Sequence, residues 1–292
     1  MMFGLRDRFL YFQCSQCGCL QISEVPANMD KYYPAQYYSF TPKTRLSLKN
    51  PVEKALRRFR DHHTVFNRGI LGRLVSSVSP NKKMTALGHL NLTTKSRVLD
   101  VGCGDGWRLN VLRDIGFETL LGIDPYIPRD ITYANGVMVK KRSIHEETGA
   151  WDLIMYHHSF EHVPDPHEQL QRVAGLLSSG GCCLLRLPTV SSFAWEQYRE
   201  NWFQLDAPRH FFLHSIESIK FLAEKAGLVL QNIVFDSTAD QFQGSELYKR
   251  DIPFIAQAKN FTKSQVREWK NLAKKLNKEK RGDQAAFYLI KK

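Results

Sequence analysis

The chain has 292 residues, of which 43% are hydrophobic, enough to bury one large α/β domain with additions or two ordinary domains. Charges stand near the start where a secretory signal needs an apolar run, and no apolar run approaches the roughly 20 residues that cross a bilayer. We therefore expect neither export nor a membrane-spanning segment, and we expect a cytoplasmic protein.

The net charge of +12 is unevenly distributed along the chain, because residues 41–90 and 259–292 are strongly basic whereas residues 91–258 are mildly acidic. Basic flanks attract nucleic acid, anionic lipid or phosphorylated ligands, or form solvated helix faces.

The first segment, residues 1–45, is rich in cysteine and aromatic residues. Cys14 and Cys17 have the spacing of half a zinc ribbon, with Cys19 close by, and a structural zinc needs four ligands. We predict no metal site here unless a partial zinc site persists at Cys14 and Cys17. The aromatic run 32–40 follows and contains two Tyr-Tyr pairs.

Residues 46–90 predict a basic helical region. Asn50 is an N-cap followed by a first-turn proline and Glu53 at the third position, which predicts a helix through about residue 63. A second helix is predicted over 66–77, before Pro80, and a third over 81–90.

From residue 91 onward, short aliphatic runs alternate with amphipathic ones, which predicts a doubly wound, mostly parallel sheet. The predicted strands are Arg97–Val101, Thr119–Asp124, Val137–Lys141, Asp152–His157, Cys182–Leu187 and Val229–Phe235. The predicted helices are Trp107–Ile115, Pro166–Ser178 (closed by Gly180 and Gly181) and Ile216–Ala226. The last run, Ala285–Ile290, predicts a strand antiparallel to 229–235. The predicted fold is α/β and Rossmann-like, over residues 91–292.

A helical insertion is predicted at about 240–282. Within it, Thr262 opens a capping box, and the helix runs to about residue 278. Its apolar stripe consists of Val266, Trp269, Leu272 and Leu276. Because the stripe is narrow, we expect it to pack on its own domain rather than on a membrane surface.

Residues 100–106 form a glycine loop between a strand and a helix. Its Gly-x-Gly-x-Gly spacing differs from the dinucleotide fingerprint, and acids flank the glycines at Asp100 and Asp105. Two acids would repel a pyrophosphate, whereas S-adenosylmethionine (SAM) carries an ammonium and a sulfonium and no phosphate. Asp124 ends the next strand, where this fold places a carboxylate on ribose hydroxyls. The charges therefore favour SAM over NAD.

With this loop and Asp124, residues 90–237 resemble the class I SAM-dependent methyltransferases. Where that family often has an aspartate after the third strand, this chain has Arg142-Ser143-Ile144. The resemblance implies that SAM contacts Asp100, Gly102, Cys103, Gly104, Asp124, Pro125, Ser143, Ile144 and His157.

The segment Glu161-His162-Val163-Pro164-Asp165-Pro166 resembles a signature of small-molecule and ubiquinone-type methyltransferases. Direct methyl displacement requires alignment, and an oxygen acceptor also needs a base near neutral pKa, which suits histidine. The candidate catalytic bases are His158, His162 and His210. Alternatively, Glu161 and His162 hold the loop or ligate a metal.

Residues 202–210 resemble a Trp-x-x-Leu-Asp-x-Pro-Arg-His segment of methyltransferases associated with surface-polysaccharide synthesis. The resemblance implies that Trp202, Arg209 and His210 bind the acceptor. Arg209 either pairs with a phosphate or carboxylate of that acceptor or forms an internal pair with Asp206.

The predicted function is methylation of a small molecule, such as a sugar or a glycan or lipopolysaccharide precursor, with an anionic or glycan-linked acceptor as partner. Two alternatives stay open: an RNA methyltransferase that uses the basic flanks, and a non-catalytic SAM-binding scaffold. The chain shows no RNA-binding module and no Asn-Pro-Pro-Tyr-type motif after the fourth strand, which disfavours the first.

Overall fold

The computed structural model describes residue 2 and residues 4–33, 50–256 and 260–292. The chain forms two compact units. The loop unit comprises Ala35–Tyr156 and Gly175–Cys183, and the histidine unit comprises Met1–Pro34, His157–Ala174 and Leu184–Lys292. The predicted division at 45 and 90 stays a prediction, and its first boundary lies outside the described residues, as does the aromatic run beyond residue 33.

The elements are numbered in chain order. The strands are β1 Tyr11–Gln13, β2 Leu20–Ile22, β3 Val98–Val101, β4 Leu120–Ile123, β5 Ile131–Thr132, β6 Met138–Lys140, β7 Trp151–His157, β8 Leu177–Pro188, β9 Phe212–Leu213, β10 Leu228–Phe235 and β11 Gln284–Lys291. The helices are α1 Pro51–Phe66, α2 Ile70–Val78, α3 Trp107–Asp114, α4 Pro166–Leu176, α5 Phe193–Tyr198, α6 Ile216–Lys225, α7 Asp240–Lys249 and α8 Lys263–Lys278.

The main sheet confirms the predicted fold class. In the loop unit the strand order is β8-β7-β3-β4-β6-β5, and in the histidine unit it is β10-β11-β8. Strand β3 pairs in parallel with both β4 and β7, and β4 pairs in parallel with β6. The C-terminal strand β11 pairs antiparallel with β10, as predicted. A small sheet, β1-β2-β9, belongs to the histidine unit and was not predicted.

The predicted helix over 81–90 is wrong. A single 3-10 turn, Thr85–His89, replaces it. The reason is close packing at Gly88, where an added Cβ would lie 2.5 Å from the carbonyl oxygen of Thr64. Glycine permits that approach and also weakens a helix, so the chain turns instead of continuing.

The predicted end of the helix over 166–178 is also wrong. Helix α4 ends at Leu176, and β8 begins at Leu177, so Gly180 and Gly181 lie inside the strand. A Cβ at Gly181 would lie 3.0 Å from the carbonyl oxygen of Trp151. The glycine therefore serves a close backbone approach between strands rather than a helix cap.

Helix α8 confirms the predicted capping box, in which the Thr262 side chain accepts a hydrogen bond from the Gln265 amide. Its stripe packs within the histidine unit, as expected. Leu276 is buried in a hydrophobic cluster with Trp202, and Trp269 packs against that cluster. In the described part of the chain, no helix is long and apolar enough to cross a membrane.

Candidate active site

The glycine loop of the loop unit follows β3, whose four residues are all buried. Gly102, Gly104 and Gly106 have φ angles of 68°, 56° and 70°, in the left-handed region that favours glycine. At Gly106 a Cβ would also lie only 2.5 Å from Cγ2 of Val139. The loop conformation therefore requires glycine both for its backbone and for its packing.

Asp124 holds this loop in place. One carboxylate oxygen accepts a hydrogen bond from the Gly104 amide at 2.9 Å, and the other accepts one from the Tyr126 amide at 2.9 Å. The predicted cofactor residue thus lies directly against the predicted glycine loop.

Asp100 is the most unusual group of the loop. Its side chain is 1% exposed, and neither carboxylate oxygen has a hydrogen-bond partner in the described residues. Burial raises the pKa of Asp100 to about 7, Arg108 opposes that shift, and Asp124 and Asp105 add to it. A buried acid without donors is costly unless a ligand supplies a compensating charge. A cationic ligand fits this position.

The remaining predicted cofactor residues are placed as follows. Cys103 is buried, and burial raises the pKa of its thiol well above the usual value. Pro125 is exposed directly after Asp124. Ser143 caps a short turn with Glu146, and the Ile144 side chain is buried in the core. The side chains of Ser143 and Ile144 are thus engaged by the fold, and their contact with SAM stays a prediction.

Four side chains of the histidine unit form a second group, here called the His–Glu cluster: His158, Glu161, His162 and His210. Glu161 is completely buried. Its Oε1 lies 3.5 Å from His158 Nδ1 and 3.9 Å from His210 Nε2. Burial by itself would raise the pKa of Glu161, but the contact with His158 and the nearby imidazoles outweigh it and lower this pKa. Glu161 is therefore an ionised carboxylate.

Two histidines of the cluster are oriented by backbone carbonyls. Nδ1 of His162 lies 2.7 Å from the carbonyl oxygen of Arg209, and Nδ1 of His210 lies 2.7 Å from that of Gln204. A carbonyl only accepts, so each Nδ1 carries a proton, and in the neutral form of either ring the lone pair lies on Nε2. The pKa of His162 is lowered, mainly by burial and to a smaller extent by the positive charge of His210 when that ring is protonated.

His158 has a different environment. It adopts φ 55°, unusual for a residue other than glycine, and its Nε2 accepts a hydrogen bond from Arg186 Nη1 at 2.8 Å. Arg186 in turn donates to Asp236 at 2.6 Å. Sequence reasoning missed Arg186 and Asp236, although a charged residue within the apolar run 182–187 was a signal. These contacts leave His158 poorly suited to accept a further proton.

The other predicted residues of this unit are largely buried. His157 ends β7 and is 5% exposed. Arg209 is 2% exposed and pairs with Asp206, which shows the internal pair left open by the sequence. Trp202 is completely buried, and its Nε1 donates to Asp283 at 3.1 Å. The Trp202 ring is therefore held in the core, and its contact with an acceptor stays a prediction.

A metal-capable group is present in this cluster. Glu161, His162 and His210 each offer one ligand atom, and these atoms lie within 4.8 Å of one another.

The two cysteines of the predicted partial zinc site, Cys14 and Cys17, are half-exposed free thiols on the β1–β2 hairpin. A zinc site at those two cysteines stays a prediction.

Comparisons with known proteins bear on both sites. A family model described as a methyltransferase domain matches residues 52–233. C-methyltransferase NovU of Streptomyces niveus is 28% identical over 171 residues, 54% of this chain and 38% of NovU. A ubiquinone biosynthesis O-methyltransferase of Bordetella avium (strain 197N) is 33% identical over 96 residues, 29% of this chain and 39% of that protein.

The chain thus covers about two fifths of the length of these two relatives. Among solved structures, an S-adenosylmethionine dependent methyltransferase from Mesorhizobium loti matches with a TM-score of 0.49 and 14% identity, covering 72% of this chain and 98% of that one. Because the family model covers more than half of the chain, the protein belongs to the methyltransferase-domain family, which confirms the resemblance inferred from its glycine loop and parallel sheet.

Proposed function

We propose that this protein is a SAM-dependent methyltransferase that acts on a small molecule, with a sugar or glycan precursor as acceptor. The observation that carries the proposal is the buried carboxylate of Asp100 beside three glycines in left-handed conformation. A positively charged methyl donor compensates that carboxylate, whereas a pyrophosphate would be repelled by Asp100, Asp105 and Asp124 together.

The residues present fit SAM. Asp100 would balance its positive charge, the glycines would allow its close approach, and the carboxylate of Asp124, at the end of the second strand, would accept hydrogen bonds from ribose hydroxyls. SAM, when bound, supplies an electrophilic methyl group for direct displacement. The protein then has to orient the acceptor and remove its proton where the acceptor requires this.

For the proton acceptor, we assign His162. Its Nε2 carries the lone pair, its lowered pKa keeps the ring neutral at pH 7, and its side chain is partly exposed. His210 has the same tautomer but is 5% exposed, and Nε2 of His158 is already bonded to Arg186. The ionised Glu161 next to them stabilises the imidazolium that proton transfer creates.

The choice of a small-molecule acceptor is supported by the relatives, which are named as a C-methyltransferase and a ubiquinone biosynthesis O-methyltransferase. The narrower choice of a sugar or glycan precursor is supported by the resemblance of residues 202–210 to methyltransferases of surface-polysaccharide synthesis. Both carbon and oxygen acceptors lose a proton on methylation, so a histidine base suits either.

Isothermal titration with SAM tests the proposal. Asp100→Asn keeps the size of the side chain and removes its charge, so SAM affinity should fall at least about tenfold. The exposed Glu118 provides a matched control, since Glu118→Gln removes a surface charge outside the glycine loop and should leave the affinity unchanged. Tight binding of NAD, with no heat from SAM, would refute the proposal.

A further inference from the structure

Seven large apolar side chains are exposed on the hairpin formed by α1 and α2, within the described residues. They are Val52, Leu56 and Phe59 of α1 and Ile70, Leu71, Leu74 and Val78 of α2. Ile70 and Val78 are 84% and 87% exposed. Single exposed apolar residues are ordinary, but a concentration of this kind marks a surface that binds something.

The three most exposed apolar residues of α2 lie on the side of that helix that faces away from α1. Gly72 contacts α1 so closely that a Cβ there would lie 2.2 Å from the carbonyl oxygen of Phe59. At 100° per residue, Ile70, Leu74 and Val78 fall on the opposite side from Gly72. At the last residue of α1, the ring of Phe66 stacks on that of Phe117, with 5.5 Å between the ring centroids, and this contact anchors the hairpin. We call Ile70, Leu71, Leu74 and Val78 the α2 face.

The same hairpin is strongly cationic. Its two acids are already engaged, because Glu53 pairs with Arg57 at 2.6 Å and Asp61 pairs with Arg60 at 2.8 Å. Six further cations are exposed in the segment from residue 50 to residue 83: Lys54, Arg58, Arg68, Arg73, Lys82 and Lys83. Apolar and cationic side chains therefore share one exposed structure.

We propose that the α2 face and its flanking cations bind the surface of an anionic lipid bilayer, with α2 lying flat in the interface. Amphipathic helices with apolar and basic faces bind such surfaces both by burying apolar side chains and by electrostatic attraction to anionic lipid headgroups. A second copy of the chain would bring the same positive charge and repel it. Nucleic acid would pair with the cations but would not cover the exposed aliphatic side chains, since the bases of single strands stack on aromatic rings.

Vesicle co-sedimentation of the full chain tests this proposal, with phosphatidylcholine vesicles with and without phosphatidylglycerol. We expect binding only to the anionic vesicles, and release as salt is raised. Ile70→Asp combined with Val78→Asp should reduce the bound-to-free ratio at least about tenfold. Neutralising Arg68, Arg73 and Lys82 to glutamine should give a comparable loss.

Phe221→Asp is the matched control, because Phe221 is 54% exposed on α6 beside Lys225 and lies outside the hairpin. It should bind anionic vesicles like the unmodified chain. Circular dichroism and SAM titration establish that each variant is folded, independently of vesicle binding. The proposal is overturned by absence of binding to anionic vesicles, or by equal binding of the Ile70/Val78 variant. It is also overturned if size-exclusion chromatography shows self-association that this variant abolishes, because a second copy then covers the face.

Discussion

At the scale of single residues, Asp100 links the charge of the ligand to its own ionisation. Its pKa is raised to about 7, chiefly by burial, so protonation of Asp100 competes with the binding of a cation as the pH falls below neutral. A cationic ligand interacts favourably only with the ionised form. Binding at lower pH must therefore first remove this proton, which costs affinity.

We expect SAM affinity to rise with pH up to about 7 and then to level off, with a loss approaching tenfold for each unit below that value. Titration calorimetry across this range, in buffers of different ionisation enthalpy, measures both the affinity and the proton release. The Asp100→Asn variant should bind weakly with little pH dependence. An unchanged slope in that variant would locate the titrating group elsewhere.

His162 gives a second prediction at this scale. Because burial and the charge of His210 lower its pKa, the acid limb of the rate profile should have its midpoint below the ordinary histidine value. His162→Gln should reduce kcat/KM by at least about 100-fold and remove this limb. The measurement is kcat/KM against pH with an acceptor that the enzyme methylates.

His158→Gln is the matched comparison for His162. Since its Nε2 accepts from Arg186 and its Nδ1 faces Glu161, His158 is expected to position the carboxylate, so the variant should lose less activity and retain the acid limb. If His158→Gln removes the limb and His162→Gln keeps it, the assignment of the base is wrong.

At the scale of elements, the glycine loop depends on a packing contact as well as on backbone freedom. Gly106→Ala should destabilise the protein more than Gly136→Ala. Both glycines have positive φ, 70° and 82°, but a Cβ at Gly106 meets Val139 at 2.5 Å, and one at Gly136 meets nothing within 4 Å. The difference between the variants therefore isolates the clash from the backbone strain.

We expect Gly106→Ala to lower the free energy of unfolding by roughly 1–3 kcal/mol more than Gly136→Ala, the range for overpacking a core. Urea denaturation measures both. SAM binding should weaken in Gly106→Ala alone, because the loop must shift. Equal destabilisation by the two substitutions would show that Val139 moves aside without cost.

At the scale of the whole molecule, the C-terminal strand is an internal part of the sheet. β11 lies between β10 and β8 in the strand order, and Phe287 and Leu289 are completely buried. Phe287→Ala should lower the free energy of unfolding by about 3–5 kcal/mol. Phe221→Ala, at 54% exposure, should change it by less than about 0.5 kcal/mol. Similar values for the two variants in denaturant titrations would mean that β11 contributes little to stability.

Much of the fold follows from local patterns. The strands from Arg97 to Leu187 were predicted because aliphatic runs alternate with amphipathic ones, and the glycine loop was predicted because its spacing and flanking acids are contiguous in the chain. The helix over 81–90 failed because the contact of Gly88 with Thr64 is not visible in its own segment. Likewise, Gly180 and Gly181 have the composition of a helix end, and only the neighbouring strand made them part of β8.

The α/β class, the antiparallel last strand and the acidic glycine loop could be predicted from the residues alone, since hydrophobic periodicity and short-range charge encode them. The tautomers of the histidines and the burial of Trp202 and Arg209 depend instead on tertiary contacts. His162 meets the carbonyl of a residue 47 positions away, and Arg186 meets Asp236 across 50 positions. Contacts of that separation arise from the packing of whole elements, so no local pattern records them.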